Sequence, residues 1–211
     1  MKASRLLTLA LFAASVASAG VIFSTGNIPQ TDSAVLFNCP TICSAGPAPI
    51  GHLQQVVPDT AVDFTSEEGL AVIGAGPGSN ALSGANSTTG FDDLQITVPG
   101  HTFTSIILQL TSLASATGGT VTFVAHLSGE PNVTSTAFFD SHTGGNYFTI
   151  TTTGVETLTE LDFTTTQFQD NVSQVRIGGV SGVTIVPEPA TYGMVGFALV
   201  GLGLLRRRLS R

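Results

Sequence analysis

The stretch "TVTFVAHL", residues 120–127, decides the fold class. Val121, Phe123, Ala125 and Leu127 fall on one side of a two-residue repeat, with Thr122, Val124 and His126 on the other. That period matches the alternating side chains of a β-strand with one buried face, and it leaves no apolar stripe at helical spacing. The flanking sequence repeats the pattern. "NYFTITTT" (146–153) sets Phe148 and Ile150 against Tyr147, Thr149 and Thr151. "FTSIILQLTSL" (103–113) groups Ile106, Leu108 and Leu110, and "TLTELDFT" (157–164) aligns Leu161 and Phe163 with Thr157 and Thr159. Further strands are expected at 53–57, 61–65, 70–73, 94–98, 134–139, 175–177 and 183–186. These runs are rich in β-branched and aromatic residues and are punctuated by Gly, Asn, Asp and Pro, so the chain is predicted to be all-β.

Ten or so short strands with a turn every dozen residues point to an antiparallel two-sheet sandwich of jelly-roll type. Residues 20–185 suffice for one such domain, which at this length buries about 70% of its unfolded surface. No internal repeat and no dividing linker argue for a second core. "GAGPGSNALSGANSTTG" (74–90) is expected to be a mobile loop, since Leu82 is its only sizeable apolar residue. "SAGPAPIG" (44–51) makes a second break.

The ends of the chain differ from this middle. "MKASRLLTLALFAASVASAG" begins with Lys2 and Arg5, continues through an apolar run over 6–16 and reaches Ala17-Ser18-Ala19. This order reads as a signal peptide over 1–19, cut after Ala19. At the far end, 190–205 is uncharged and is followed by Arg206, Arg207 and Arg208. As a helix that run would cover about 24 Å, a short membrane span whose arginines stay on the cytoplasmic side. The fold expectation is therefore a β-sandwich ectodomain with a single C-terminal membrane helix. Pro187 and Pro189 keep that helix from extending into the ectodomain and leave the peptide between extended.

Pro187-Glu188-Pro189, the glycine-containing apolar run and the arginine cluster occur in that order over 186–211. Together they resemble the PEP-CTERM sorting signal of bacterial envelope proteins. The resemblance covers only these last two dozen residues. It implies recognition by an exosortase-type membrane transpeptidase, cleavage near Pro187, Glu188 and Pro189, and delivery to a surface rich in exopolysaccharide.

Charge is unevenly placed. Of seven basic residues, Lys2 and Arg5 lie in the leader and Arg206, Arg207, Arg208 and Arg211 in the tail, so Arg176 alone stands between. All fourteen acidic residues lie between Asp32 and Glu188, which leaves the exported segment at −13, one positive against fourteen negative charges. Such a surface repels nucleic acid and anionic lipid, and suits calcium, cationic polymers or neutral glycans. Cys39 and Cys43, in an exported chain, are expected to close a small disulfide ring that pins a local turn.

Motifs for chemistry are sparse. The sequence contains neither G-x-S-x-G nor H-E-x-x-H, and His52, His101, His126 and His142 stand far apart. His101 follows Pro99-Gly100 in an expected turn, His126 lies on the polar side of its strand, and Asp140 with His142 offers half a metal site at most. No metal and no cofactor are expected. Glu67-Glu68 and Asp92-Asp93 are adjacent pairs that either split between strand faces or face water; Asp92-Asp93 offers two side chains where calcium needs six to eight oxygens. Absence of tryptophan and the presence of two tyrosines leave few sugar-stacking platforms. The expectation is a non-enzymatic surface or matrix protein, with a glycan- or calcium-binding module as the alternative and a carboxylate-dependent hydrolase behind it.

Overall fold

In the computed structural model the described residues are 20–37, 46–54, 56–73, 81–86, 90–113, 118–140, 145–182 and 184–185. Cys39, Cys43, His142, the expected leader, the expected tail helix, Pro187, Glu188, Pro189 and Arg206 to Arg208 lie outside them. Among the described residues no helix is long and apolar enough to cross a membrane.

The all-β prediction holds, and every pairing between strands is antiparallel. In chain order the strands are β1 (Val21–Thr25), β2 (Asp32–Leu36), β3 (Ile50–Leu53), β4 (Val56–Val57), β5 (Ala61–Thr65), β6 (Leu70–Ile73) and β7 (Ala81–Gly84). They continue with β8 (Phe91–Thr97), β9 (Ser105–Ser112), β10 (Gly119–Leu127), β11 (Val133–Phe139), β12 (Asn146–Thr152), β13 (Leu158–Gly178) and β14 (Thr184–Ile185). The opening stretch is β10, and Val121, Phe123, Ala125 and Leu127 are the residues it buries.

A two-sheet sandwich is not what forms; β4 and β14 make only a short separate pair. Twelve strands make one continuous sheet, and within it β13, β2, β3, β5 and β8 pair in a closed circuit, a small five-stranded barrel. The remaining strands flank it. β10, itself paired to β11, runs along the first part of β13; β9, followed outward by β12 and β1, runs along the second. β7 and β6 form a hairpin against the middle of β13.

The physical cause of the difference is the 21-residue β13. Sequence periodicity divides it into 157–164 and 175–177, because the polar connection "TTQFQDNVSQ" does not alternate. At about 3.3 Å per residue a straight strand of this length would far overrun a domain of this size, so it must bend. Register shifts between Thr164 and Gln169, Gln169 and Asn171, and Ser173 and Arg176 supply the bends, and Gln174 there adopts φ 52°. Bulges of this kind turn a strand without ending its ladder. Its first part can thus pair with β8 while its second pairs with β9 and β2.

One apolar cluster fills the interior. Phe123 lies at its centre, with ring centroids 5.1 Å from Phe148, 5.9 Å from Phe163 and 6.2 Å from Phe23, so that β10, β12, β13 and β1 meet on it. Phe37 and Phe64 meet in the barrel with ring centroids 5.3 Å apart and planes tilted by 58°. Leu82, expected in a loop, is fully buried on β7. The expectation for 74–90 fails at this point: four residues pair with β6 and three of them also with β13, and burying one leucine offsets the poor propensity of its glycine and serine neighbours.

Candidate functional site

The outer face of β5, β8, β13 and β10 collects the acidic residues. In the ladder Asp63 pairs with Thr97 and Thr97 with Glu160; one row along, Thr65 pairs with Gln95 and Gln95 with Asp162. His126 stands opposite Glu160 on the far side of β13. Because Leu161 and Phe163 point into the core, Glu160 and Asp162 share the outward face by strand alternation.

His126 Nε2 lies 2.8 Å from Asp162 Oδ2 and 3.4 Å from Glu160 Oε1. All three side chains are partly buried, and each offers a ligand atom within 4.8 Å of the others. Asp162 Oδ1 is buried and has no hydrogen-bond partner. The sequence places His126 correctly on the polar side of its strand but does not find its two partners, 34 and 36 residues away. The Glu-x-Asp spacing on a strand is the only sequence signal that brings two carboxylates to one face.

A second group forms at one end of the same face. Asp92 and Asp93 enter β8, where the pairing with β13 shifts register, and both carboxylates therefore reach Glu68 rather than splitting between faces. Asp93 Oδ1 accepts from Ser66 Oγ and from the Glu67 N–H, each at 3.0 Å, which ties it to the Ser66–Gly69 turn. Burial, then the Glu68 carboxylate, pushes Asp92 above the ordinary carboxylate value. Burial also raises Asp93, the Glu67 N–H opposes it, and the contact with Glu68 raises it further. Glu68 is pushed up by burial, but hydrogen bonds from Asp93 and Ser66 outweigh this and hold it below its usual value. A shallow groove of about 390 Å³ lined by Ser66, Asp93, Gln95 and Asp162 lies between the two groups.

The other two described histidines, His101 and His52, are accounted for locally. His101 Nδ1 donates to the Ser181 carbonyl at 2.7 Å and its N–H closes the Val98 turn, as expected after Pro99-Gly100. His52 Nδ1 lies 3.2 Å from Asp59 Oδ1. Asp140 is held through its backbone by Asn146 at the start of β12. Arg176 Nε and Nη2 both donate to Asp32 Oδ1 at 2.7 Å, and the Asp32 side chain is only 1% exposed.

No curated protein and no solved structure matches this chain. Residues 186–208 do match a family description, that of the PEP-CTERM protein-sorting motif. The match includes Pro187, Glu188, Pro189 and Arg206 to Arg208, the residues in which the sequence shows the resemblance. The chain thus carries a PEP-CTERM sorting motif, which implies an exported protein with a C-terminal membrane-anchored signal that an exosortase processes.

Proposed function

We propose that the β-domain is delivered to the cell surface or the exopolysaccharide layer and serves there as a non-enzymatic structural protein, after an exosortase-type transpeptidase cuts near Pro187, Glu188 and Pro189. The sorting motif at 186–208 carries this reading. The acidic cluster speaks against the carboxylate-dependent glycosidase among the alternatives. A glycosidase keeps two carboxyls roughly 5 to 9.5 Å apart across a cleft to admit sugar or water. Glu68, Asp92 and Asp93 instead touch one another, an arrangement that shares protons and leaves no gap for a scissile bond.

The test is the intact mass of the protein recovered from native envelope and from culture medium, beside a variant carrying Pro187→Ala, Glu188→Ala and Pro189→Ala. The expected result is a natural form lacking 1–19 and ending near the motif, with a variant that keeps Arg211. Retention of Arg211 by both forms would overturn sorting. For the structural role, the processed form should co-fractionate with exopolysaccharide and be released when that polymer is digested; a form that washes free beforehand contradicts it.

A further inference from the structure

Three groups compete for a function beyond sorting: the Glu68 carboxylate cluster, the apolar groove between β1 and β11 that Phe138 overhangs, and the mixed set on β10 and β13. The first is made of acids alone, and nothing among the described residues shows what would cover the second. The third joins an imidazole to two carboxylates, the donor set that divalent transition ions select over calcium or magnesium.

We propose that His126, Glu160 and Asp162 bind a single divalent transition ion of the zinc class. Geometry supports this first. With bonds of about 2.0 to 2.1 Å a tetrahedral ion spaces its ligand atoms by about 3.3 Å. His126 Nε2 and Glu160 Oε1 are already 3.4 Å apart, and His126 Nε2 and Asp162 Oδ2, at 2.8 Å, need open only by a side-chain rotation. The three ligands come from two paired strands of a continuous ladder, so the backbone holds them in place before the ion arrives. The bulge between His126 and Leu127 alters the local aim of the histidine next to the site.

Desolvation supports it next. Asp162 Oδ1 is buried without a hydrogen-bond partner, an unfavourable state for a polar group that a nearby cation would relieve. Charge supports it last. A neutral imidazole and two carboxylates balance a dication, and Asp63, Asp93 and Glu68 on the same side of the barrel raise the local concentration of cations. Side-chain exposures of 24 to 31% leave a fourth position open to water or to a ligand from outside. The site does not depend on the sorting step.

The experiment is calorimetric titration of the full-length chain, freed of metal by chelation, with zinc and separately with calcium. The expected result is one zinc per chain, calcium failing to compete, and a loss of at least about tenfold in affinity in His126→Gln and in Asp162→Asn, with Glu68→Gln, which removes only a distant charge, changing affinity by less than about twofold. Melting curves of the metal-free variants check that they fold. Should either not fold, the unaltered chain answers through nuclear magnetic resonance, where zinc must shift the His126 imidazole nitrogens. No zinc binding, binding by both variants as tight as by the unaltered chain, or loss confined to Glu68→Gln would each overturn the proposal.

Discussion

Replacing Arg176 by methionine should destabilise the domain by about 3 kcal/mol, because it strands a buried carboxylate. The side chain is the single Lys or Arg between Arg5 and Arg206, and it crosses the joint between β13 and β2, where Arg176, Ile177 and Gly178 pair with Ala34, Ser33 and Asp32. Asp32 is 1% exposed, and both guanidinium donors go to its Oδ1 while Oδ2 has no partner. Removing one member of a buried ion pair costs about 3 to 5 kcal/mol, because the other charge is left without compensation. Arg176 is 44% exposed, so water already reaches the cation and the lower end of that range applies. For a domain of this size the loss lowers the melting temperature by about 6 to 12 °C. Urea and thermal melts of Arg176→Met, Asp32→Leu and the double variant measure it. The double variant should recover most of the loss, since an apolar pair carries no stranded charge. A loss below about 1 kcal/mol in Arg176→Met, or a double variant no better than the single one, refutes the reasoning.

Asp93→Asn keeps the acceptor for Ser66 and the Glu67 N–H and removes a like charge beside Glu68 and Asp92, a repulsion of about 1 kcal/mol when water-screened. The native values of Asp92 and Asp93 are raised, so at these two groups the native state binds more protons than the unfolded one and their contribution to stability falls as pH rises through the carboxylate range, while the lowered Glu68 contributes with the opposite sign. The gain from the variant should therefore be absent in strong acid and present at neutral pH; melts at both ends decide, and an equal gain at both, or a loss at neutral pH, contradicts the assignment. Phe123→Ala empties the meeting point of Phe23, Phe148 and Phe163 and should cost about 3 to 5 kcal/mol in denaturant unfolding, whereas a cost under about 1 kcal/mol would mean that these rings do not anchor the core. Gly90→Ala should cost about 2 kcal/mol or more, because φ is 68° there and a methyl would run into the Gln169 carbonyl. A neutral result in the same assay would show that 90 and 169 are not in contact.

The class of fold and the export signal are both legible in short runs of residues. Alternation in 120–127 and 146–153 is local information, since it follows from which face of a single strand is buried, and it correctly assigns Val121, Phe123, Phe148 and Ile150 to the core. The sorting motif is likewise a run of adjacent residues, recognisable from their order alone. Strands without a clear pattern escape such a reading. Neither 21–25 nor 32–36 alternates strongly enough to stand out, and Leu82 reads as part of a loop because its burial depends on β6 and β13.

How the strands close, and which distant side chains meet, follow from the assembled sheet. The barrel exists because β13 bends at its bulges and serves two sets of neighbours, a consequence of register that no window of a few residues contains. Arg176 is conspicuous in the sequence as an isolated charge, yet its partner Asp32 lies 144 residues away. Alternation places His126 on the right face, and Glu160 and Asp162 join it only through the β10–β13 ladder. Asp92, Asp93 and Glu68 converge because a shift in register turns two neighbouring carboxylates the same way. Local sequence sets which way each side chain points; strand pairing across the chain sets what it finds there.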